Sequence, residues 1–282
     1  MSWTIGVDVG GTFTDFYAAN DDADVFHVYK TSSTPSNPAD AILNGLDAMC
    51  DKFDIPKDEI VRVSHGTTVG TNALIQRTGS RVALVTTKGF RDLLEIGRQT
   101  RPHMYDLQKD HPAPLVEREH RIELNERIGA AGEIVRAPSA EDIDAAIDEV
   151  IAAGAGACAI GFVFSFRNDE HEQKFAKALR KRAPDIAISV SSEVQPEFRE
   201  YERLSTTVLN AYLQPVMWHY LETLEAGIAE RAPNASLGIN QSSGGLMSVG
   251  RSRELPVRTA LSGPAAGAVG AGMGAGMGAT SA

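Results

Sequence analysis

The sequence predicts an α/β fold on three observations. Apolar runs of strand type alternate with amphipathic helical stretches through the middle of the chain. Residues 139–191 read helix, strand, helix, strand. The first twenty residues read strand, glycine turn, strand. With 282 residues and a hydrophobic fraction of 43%, the chain can bury a sizeable core as one large domain or two smaller ones.

Each element has its own signal. "TIGVDV" and "TFTDFYAA" flank Gly10 and Gly11 and form a hairpin over residues 5–17, with Asp8 facing a cleft. Asn37 as cap, Pro38 at the first helical position and the stripe Ile42, Leu46, Met49, Phe53 predict a helix. "IVRVSHG" is a strand entering a polar loop, and "TVGTNALIQRTG" a helix closed by Gly79. "RVALVTT" is a buried strand and "FRDLLEIGR" a short helix; residues 100–118, with three prolines, read as loop. "HRIELNERI" is a strand, and Gly129 and Gly132 flank a turn. Ser139 caps a helix whose stripe is Ile143, Ile147, Val150 and whose terminator is Gly154. "ACAIGFVF" and "DIAISVSS" are strands on either side of a helix with acids early and bases late. A long helix follows from about 197 to 230, bent near Pro215. "SLGINQSSGGLMSV" is a strand with a glycine turn. The closing stretch from Ser262 is rich in small residues and reads either as a closely packed helix or as a disordered end.

Net charge is -10 and the pI near 5.2, which excludes a broad basic surface for nucleic acid. No run of about eighteen apolar residues offers a membrane span, and Asp8 interrupts any apolar leader. Cys50 and Cys158 form no CxxC and sit in apolar patterns; buried thiols and a cytoplasmic location are expected. His103, His111 and His120 match no metal-ligand spacing.

The stretch "DVGGTFTD" fits neither of the two commonest phosphate motifs. A P-loop needs a lysine after the glycines, and a dinucleotide turn opens a helix rather than a strand. Two readings stay open. One is an ordinary glycine hairpin with a surface acid. The other is a hairpin whose N–H groups at Gly10, Gly11 and Thr12 cup a phosphate, with hydroxyl donors from Thr12 and Thr14. Asp8 would then hold Mg²⁺ through water.

"GVDVGGTFTD" resembles the first phosphate motif of the actin–sugar kinase–Hsp70 superfamily. "SHGTTVGTNALIQRTG", "ALVTTKGFRDLLEIGRQTRPHMYDL", "EFREYERLSTTVLNAYLQP" and "RTALSGPAAGAVGA" resemble the hydantoinase A/5-oxoprolinase/acetone carboxylase β-subunit family. The resemblance runs from residue 4 to about 272. It implies a ribonuclease H-like half-fold with a mixed sheet and flanking helices. It further implies ATP and Mg²⁺ as cofactors, and phosphorylation of the carbonyl oxygen of a cyclic amide or ketone. A hydantoinase B-type partner subunit or a C-terminal half would complete the enzyme, which is expected to be an oligomer. A linear division at 195/196 is expected, into an N-terminal α/β domain and a connecting helix that leads into the second ATPase-like domain. The family's second glycine-rich phosphate motif has no counterpart in these 282 residues. The chain is therefore expected to hold half of a nucleotide clamp, and a non-catalytic nucleotide-binding or scaffold module is the rival from another class.

On this reading Asp8 and His65 are the catalytic candidates, and Gly10, Gly11, Thr12, Thr14, Asp15, Ser262 and Gly263 bind the cofactor. Thr67, Thr68, Asn72 and Arg98 are the substrate candidates. His65 suits a proton carrier near neutrality, and its loop offers hydroxyl and N–H donors. Packing roles remain open for His65 and Asn72, and an internal ion pair for Arg98.

Overall fold

The fold comes from a computed structural model that describes residues 2–20, 22–34, 37–106, 108–260 and 262. The elements up to the middle of the chain are β1 (Trp3–Val9), β2 (Phe13–Asn20), β3 (Val25–Ser32), α1 (Pro38–Phe53), β4 (Ile60–Gly66), α2 (Val69–Gln76), β5 (Val82–Thr87), α3 (Leu93–Ile96), β6 (Arg121–Leu124), β7 (Arg127–Ile128) and β8 (Ile134–Arg136). There follow α4 (Ala140–Ala152), β9 (Ala157–Gly161), α5 (Glu170–Arg182), β10 (Ala187–Val190), α6 (Ser191–Val194), α7 (Glu200–Arg231), β11 (Ser236–Asn240), β12 (Leu246–Ser248) and α8 (Val249–Glu254).

The chain divides into two compact units. One combines residues up to Thr78 with residues from Val216 onward; the other is Gly79–Pro215. This partition differs from the linear division at 195/196, because strands from both ends of the chain share one sheet.

The first unit is built on a mixed six-stranded sheet, in the order β12-β11-β4-β1-β2-β3. β4 runs parallel to both β1 and β11, and the remaining pairs are antiparallel. β1 and β2 form the expected hairpin, in register from Thr4↔Ala19 to Val9↔Thr14. Their alternation buries Ile5, Val7, Phe16 and Ala18 on one face, and α1, with Ile42, Leu46 and Met49 buried, packs against both strands. Each fully buried side chain of this kind stabilises the fold by about 1.5–3 kcal/mol. Gly45 lets α1 approach, since a Cβ there would lie 2.4 Å from the Phe16 ring. Asn37 stands at the N-cap of α1 without a side-chain bond; Thr34 Oγ1 instead accepts from the Ala41 N–H at 3.1 Å. β3 had no sequence expectation. Helix α2 ends at Arg77, left-handed at φ 53°, and not at Gly79. Gly79 is small for a different reason: a Cβ there would strike the Tyr212 ring at 2.2 Å.

The second unit carries a four-stranded sheet, β10-β9-β5-β6, parallel throughout. Ile143, Ile147 and Val150 of α4 and Phe175 and Leu179 of α5 pack with Cys158, Ile160 and Val190 in one core. This is the α/β unit expected over residues 139–191. Ser139 caps α4 by accepting from the Asp142 N–H at 3.0 Å, and Gly154 follows the helix at φ 59°. Two expected strands are shorter. β9 stops at Gly161, where the Phe162 N–H turns to the buried Glu172 carboxylate at 2.9 Å. "HRIELNERI" splits into β6 and β7, and β7 pairs with β8 across the Gly129–Gly132 turn.

Helix α7 continues through Pro215. Among the described residues, no helix is long and apolar enough to cross a membrane. Cys50 and Cys158 are free and buried, and burial pushes the Cys50 thiol up to about 11.

Candidate functional site

Three parallel strands of the first unit reach their carboxyl ends side by side. β1 pairs with β4 as Val7↔His65 and Asp8↔Gly66, and β4 pairs with β11 as Ser64↔Gly238 and His65↔Ile239. Side chains alternate along a strand, so these registers sort residues by face. Val7, His65 and Ile239 form a buried row. Asp8, Gly66 and Asn240 form the next row, on the opposite face. In open α/β sheets, ligands bind outside such carboxyl ends.

Asp8 is exposed and makes no hydrogen bond or ion pair among the described residues. Asp15 lies directly opposite it across the hairpin. Partial burial, and then the Asp15 charge, hold the Asp8 carboxyl above its usual range. Asp15 itself is committed to Lys30 at 2.9 Å. Asp8 is thus the uncompensated acid of the pair.

The turn after β1 is held from behind. The Gly10 N–H donates to the Phe13 carbonyl at 2.9 Å, Ser33 Oγ donates to the Gly10 carbonyl at 2.7 Å, and the Ser33 N–H donates to the Thr12 carbonyl at 2.9 Å. Thr14 is buried, 3.0 Å from Ser33 Oγ, so its hydroxyl braces the turn on the sheet face opposite Asp8. Neither Gly10 nor Gly11 has a left-handed φ. A Cβ on Gly10 would press on the Phe13 carbonyl at 3.0 Å, whereas one on Gly11 would meet nothing within 4 Å. Among the described residues, nothing requires a glycine at Gly11. The N–H groups of Gly11 and Thr12 have no acceptor among the described residues.

The loop after β4 is tied to the same edge. Thr68 Oγ1 donates to the Val9 carbonyl at 3.3 Å, and Ser262 Oγ to the Thr67 carbonyl at 3.4 Å. Thr67 is buried, hydrogen-bonded to the Tyr220 phenol, and its Oγ1 accepts from the Val69 N–H at 3.2 Å. Tyr220 Oη lies 2.6 Å from His65 Nε2, and His65 Nδ1 lies 3.4 Å from the Val7 carbonyl. A neutral imidazole satisfies both contacts, donating from Nδ1 and accepting at Nε2. Burial lowers the His65 pKa to about 4. His65 therefore lies on the sheet face opposite Asp8, neutral and saturated, and does not suit a proton carrier near pH 7.

Asn72 is exposed on α2. Arg98 belongs to the second unit, where it is ion-paired with Glu202 at 2.6 Å and lines a groove of ≈930 Å³ with Leu94, Tyr201 and Leu209. Arg98 and the six-stranded sheet belong to different units. Gly263 lies outside the described residues. Glu117, Glu119 and His120 bring ligand atoms within 4.8 Å of one another at the surface of the second unit, where no further feature points to an ion.

Sequence reading missed Ser33, Tyr220 and Asn240. Ser33 sits in an unassigned stretch, and Tyr220 in a helix read only for its length. Asn240 precedes a turn recognised only by its glycines; Gly244 and Gly245 do take φ 88° and 79°.

The fold is that of an actin-like ATPase half, with a mixed sheet and flanking helices. Residues 4–183 match the hydantoinase/oxoprolinase N-terminal region and residues 203–281 the hydantoinase/oxoprolinase family, and the chain belongs to that family. It is 39% identical over 271 residues to caprolactamase subunit alpha of Pseudomonas jessenii, covering 94% of this chain and 39% of that one. The crystal structure of the ATP-dependent caprolactamase from Pseudomonas jessenii superposes with TM-score 0.83 at 38% identity, over 93% of this chain and 39% of that one. Nucleotide-free acetone carboxylase superposes with TM-score 0.85 at 25% identity, over 98% and 41%. The chain thus spans about two fifths of the length of these relatives.

Proposed function

We propose that this chain supplies the nucleotide-facing half of an ATP-dependent enzyme that phosphorylates the carbonyl oxygen of a cyclic amide before hydrolysis. One observation carries the proposal. Among the described residues, Asp8 stands uncompensated at the carboxyl end of β1, beside a turn that offers two unpaired N–H groups and a glycine that no packing requires. Backbone N–H groups around a glycine suit phosphate oxygens.

ATP bound there would supply a phosphoryl group that makes a poor amide electrophile reactive toward water. Gly11 and Thr12 would hold the phosphate through their N–H groups, and Ser33 and Thr14 keep that turn in shape. The donors near the turn are hard oxygens, which suits Mg²⁺. Asp8 would hold the ion, and the ion would offset phosphate charge; Asp15, neutralised by Lys30, would contribute through its field alone. Thr68 fixes the loop after β4 against the end of β1. The protein's part is thus positioning and charge stabilisation. We assign His65, Tyr220 and Thr67 to positioning. Ser262 supports the Thr67 carbonyl, and Asn72 is close enough in sequence to that loop to meet substrate.

A hydantoinase B-type partner subunit, or further chain of the same polypeptide, would complete the enzyme. Two free, buried thiols suit a reducing cytoplasm. A second reading, ATP-dependent ketone carboxylation, is favoured by the acetone carboxylase match over 98% of the chain. The test is ADP release by the full-length enzyme with its partner subunit, assayed with caprolactam, with 5-oxoproline, and with acetone plus bicarbonate. Amide-dependent ADP release is expected. ADP release that responds only to the ketone would replace the first reading by the second.

A further inference from the structure

The row that begins at Asp8 ends at Asn240, a residue with no role so far. Asn240 closes β11, half-buried, and its side chain makes no hydrogen bond among the described residues. A Cβ placed on Gly66 would lie 3.5 Å from Asn240 Nδ2 and 3.5 Å from Asp8 Oδ1. The missing side chain at Gly66 therefore forms a floor between a carboxylate and a carboxamide, neither of which has a partner among the described residues.

The backbone around Asn240 is fixed. Asn240 pairs with Leu246 of β12, and the Gln241 N–H donates to the Gly245 carbonyl at 3.0 Å. Ser242 donates to the Arg258 carbonyl from its N–H at 2.8 Å and from its Oγ at 3.0 Å. The carboxamide is thus presented from a braced turn.

A carboxamide offers one edge that carries both an N–H donor and a C=O acceptor. A ring forces the N–H and C=O of a small cyclic amide onto the same side of the C–N bond. The two edges match as a pair of antiparallel hydrogen bonds. A ketone has only the acceptor and can form one of the two. Asp8, ionised, accepts only, so it cannot hold a carbonyl oxygen directly. The carbonyl oxygen keeps its second lone pair free toward the Asp8 side of the row.

We propose that Asn240 is the residue that reads the substrate, holding a cyclic amide above Gly66 through paired hydrogen bonds and selecting it over ketones and N-substituted amides. The proposal rests on the amide-activating reading above. A site built to bond a substrate N–H rejects analogues that lack it, because its own polar group is left unpaired.

The test uses the full-length enzyme with its partner subunit, with caprolactam and N-methylcaprolactam as probes. Asn240→Asp keeps the shape and loses the donor; Asn240→Ala loses both contacts. The wild type should bind caprolactam at least about tenfold more tightly than the N-methyl compound. In both variants KM for caprolactam should rise about tenfold or more, and that preference should collapse, while ATP affinity and the melting temperature hold. Variants that keep the preference, or that lose ATP affinity while KM stays put, overturn the role of Asn240 and leave the amide-activating reading standing. A wild type whose ADP release ignores every amide overturns that reading, and this proposal with it.

Discussion

The phenol of Tyr220, on α7, donates to Nε2 of His65, on β4, across 2.6 Å. The pair fixes the imidazole as a neutral acceptor inside the first unit. It also links α7 to Thr67 in the loop that follows β4.

That link has a pH signature. An unfolded histidine titrates near 6.5, whereas burial lowers folded His65 to about 4. Between those values the unfolded chain binds a proton that the folded chain refuses. The contribution is fully present above pH 6.5 and is lost as pH falls toward 4. The full span is worth about 3 kcal/mol. Urea melts at pH 7 and pH 5 should show a smaller pH-dependent loss for His65→Gln than for the wild type. Equal losses in the two proteins would rule this account out.

Tyr220→Phe keeps the ring and removes the hydroxyl. It leaves His65 Nε2 without a donor and Thr67 without that acceptor, at a cost of about 1–3 kcal/mol. Chemical denaturation at pH 7 measures this directly. A variant within about 0.5 kcal/mol of the wild type, the usual scatter of surface substitutions, would show that the link carries no strength.

Asp8→Asn should lower ATP-dependent turnover of the complete enzyme about a hundredfold, or about 3 kcal/mol. Melting should not suffer, because burial and Asp15 already disfavour the charge on Asp8. A variant that melts normally and keeps more than about half of its rate would reduce Asp8 to a turn residue, well outside the estimate for a lost electrostatic contact.

Gly11 and Gly45 should behave oppositely. Gly11→Ala meets nothing within 4 Å, so stability should hold, while ATP binding weakens because a methyl now stands where phosphate would approach. Gly45→Ala drives a methyl to 2.4 Å from the buried Phe16 ring and should destabilise by about 1–3 kcal/mol. Calorimetry with and without nucleotide separates the two effects. Unchanged ATP affinity in Gly11→Ala would remove the turn from the site.

How far the sequence reveals this arrangement depends on whether a signal is local. The β1–β2 hairpin, the capped helix α4 and the core stripe Ile143, Ile147, Val150 are legible because a few adjacent residues encode them. Strand β3 is not, because the residues it turns inward, His27, Tyr29 and Thr31, carry polar groups, while Phe26 and Val28 face solvent, 64% and 61% exposed. Gly79 reads as a helix terminator until Tyr212, far along the chain, shows what its small size is for. The faces of His65 and Asp8 depend on the β1–β4 register, and the place of Asn240 on a strand pairing between distant residues. A single sequence carries neither pairing.

The six-stranded sheet also sets an order of assembly. β4 must wait on its second flank for β11, which is made only after the whole of Gly79–Pro215. That contiguous stretch can close its own parallel sheet from near neighbours, while the first unit bears the slow, long-range pairing. During synthesis the open flank of β4 is a bare strand edge, the kind that recruits wrong partners. The row Asp8–Gly66–Asn240 comes into being only with that last pairing, so a half-made chain carries the glycine turn but not yet the site.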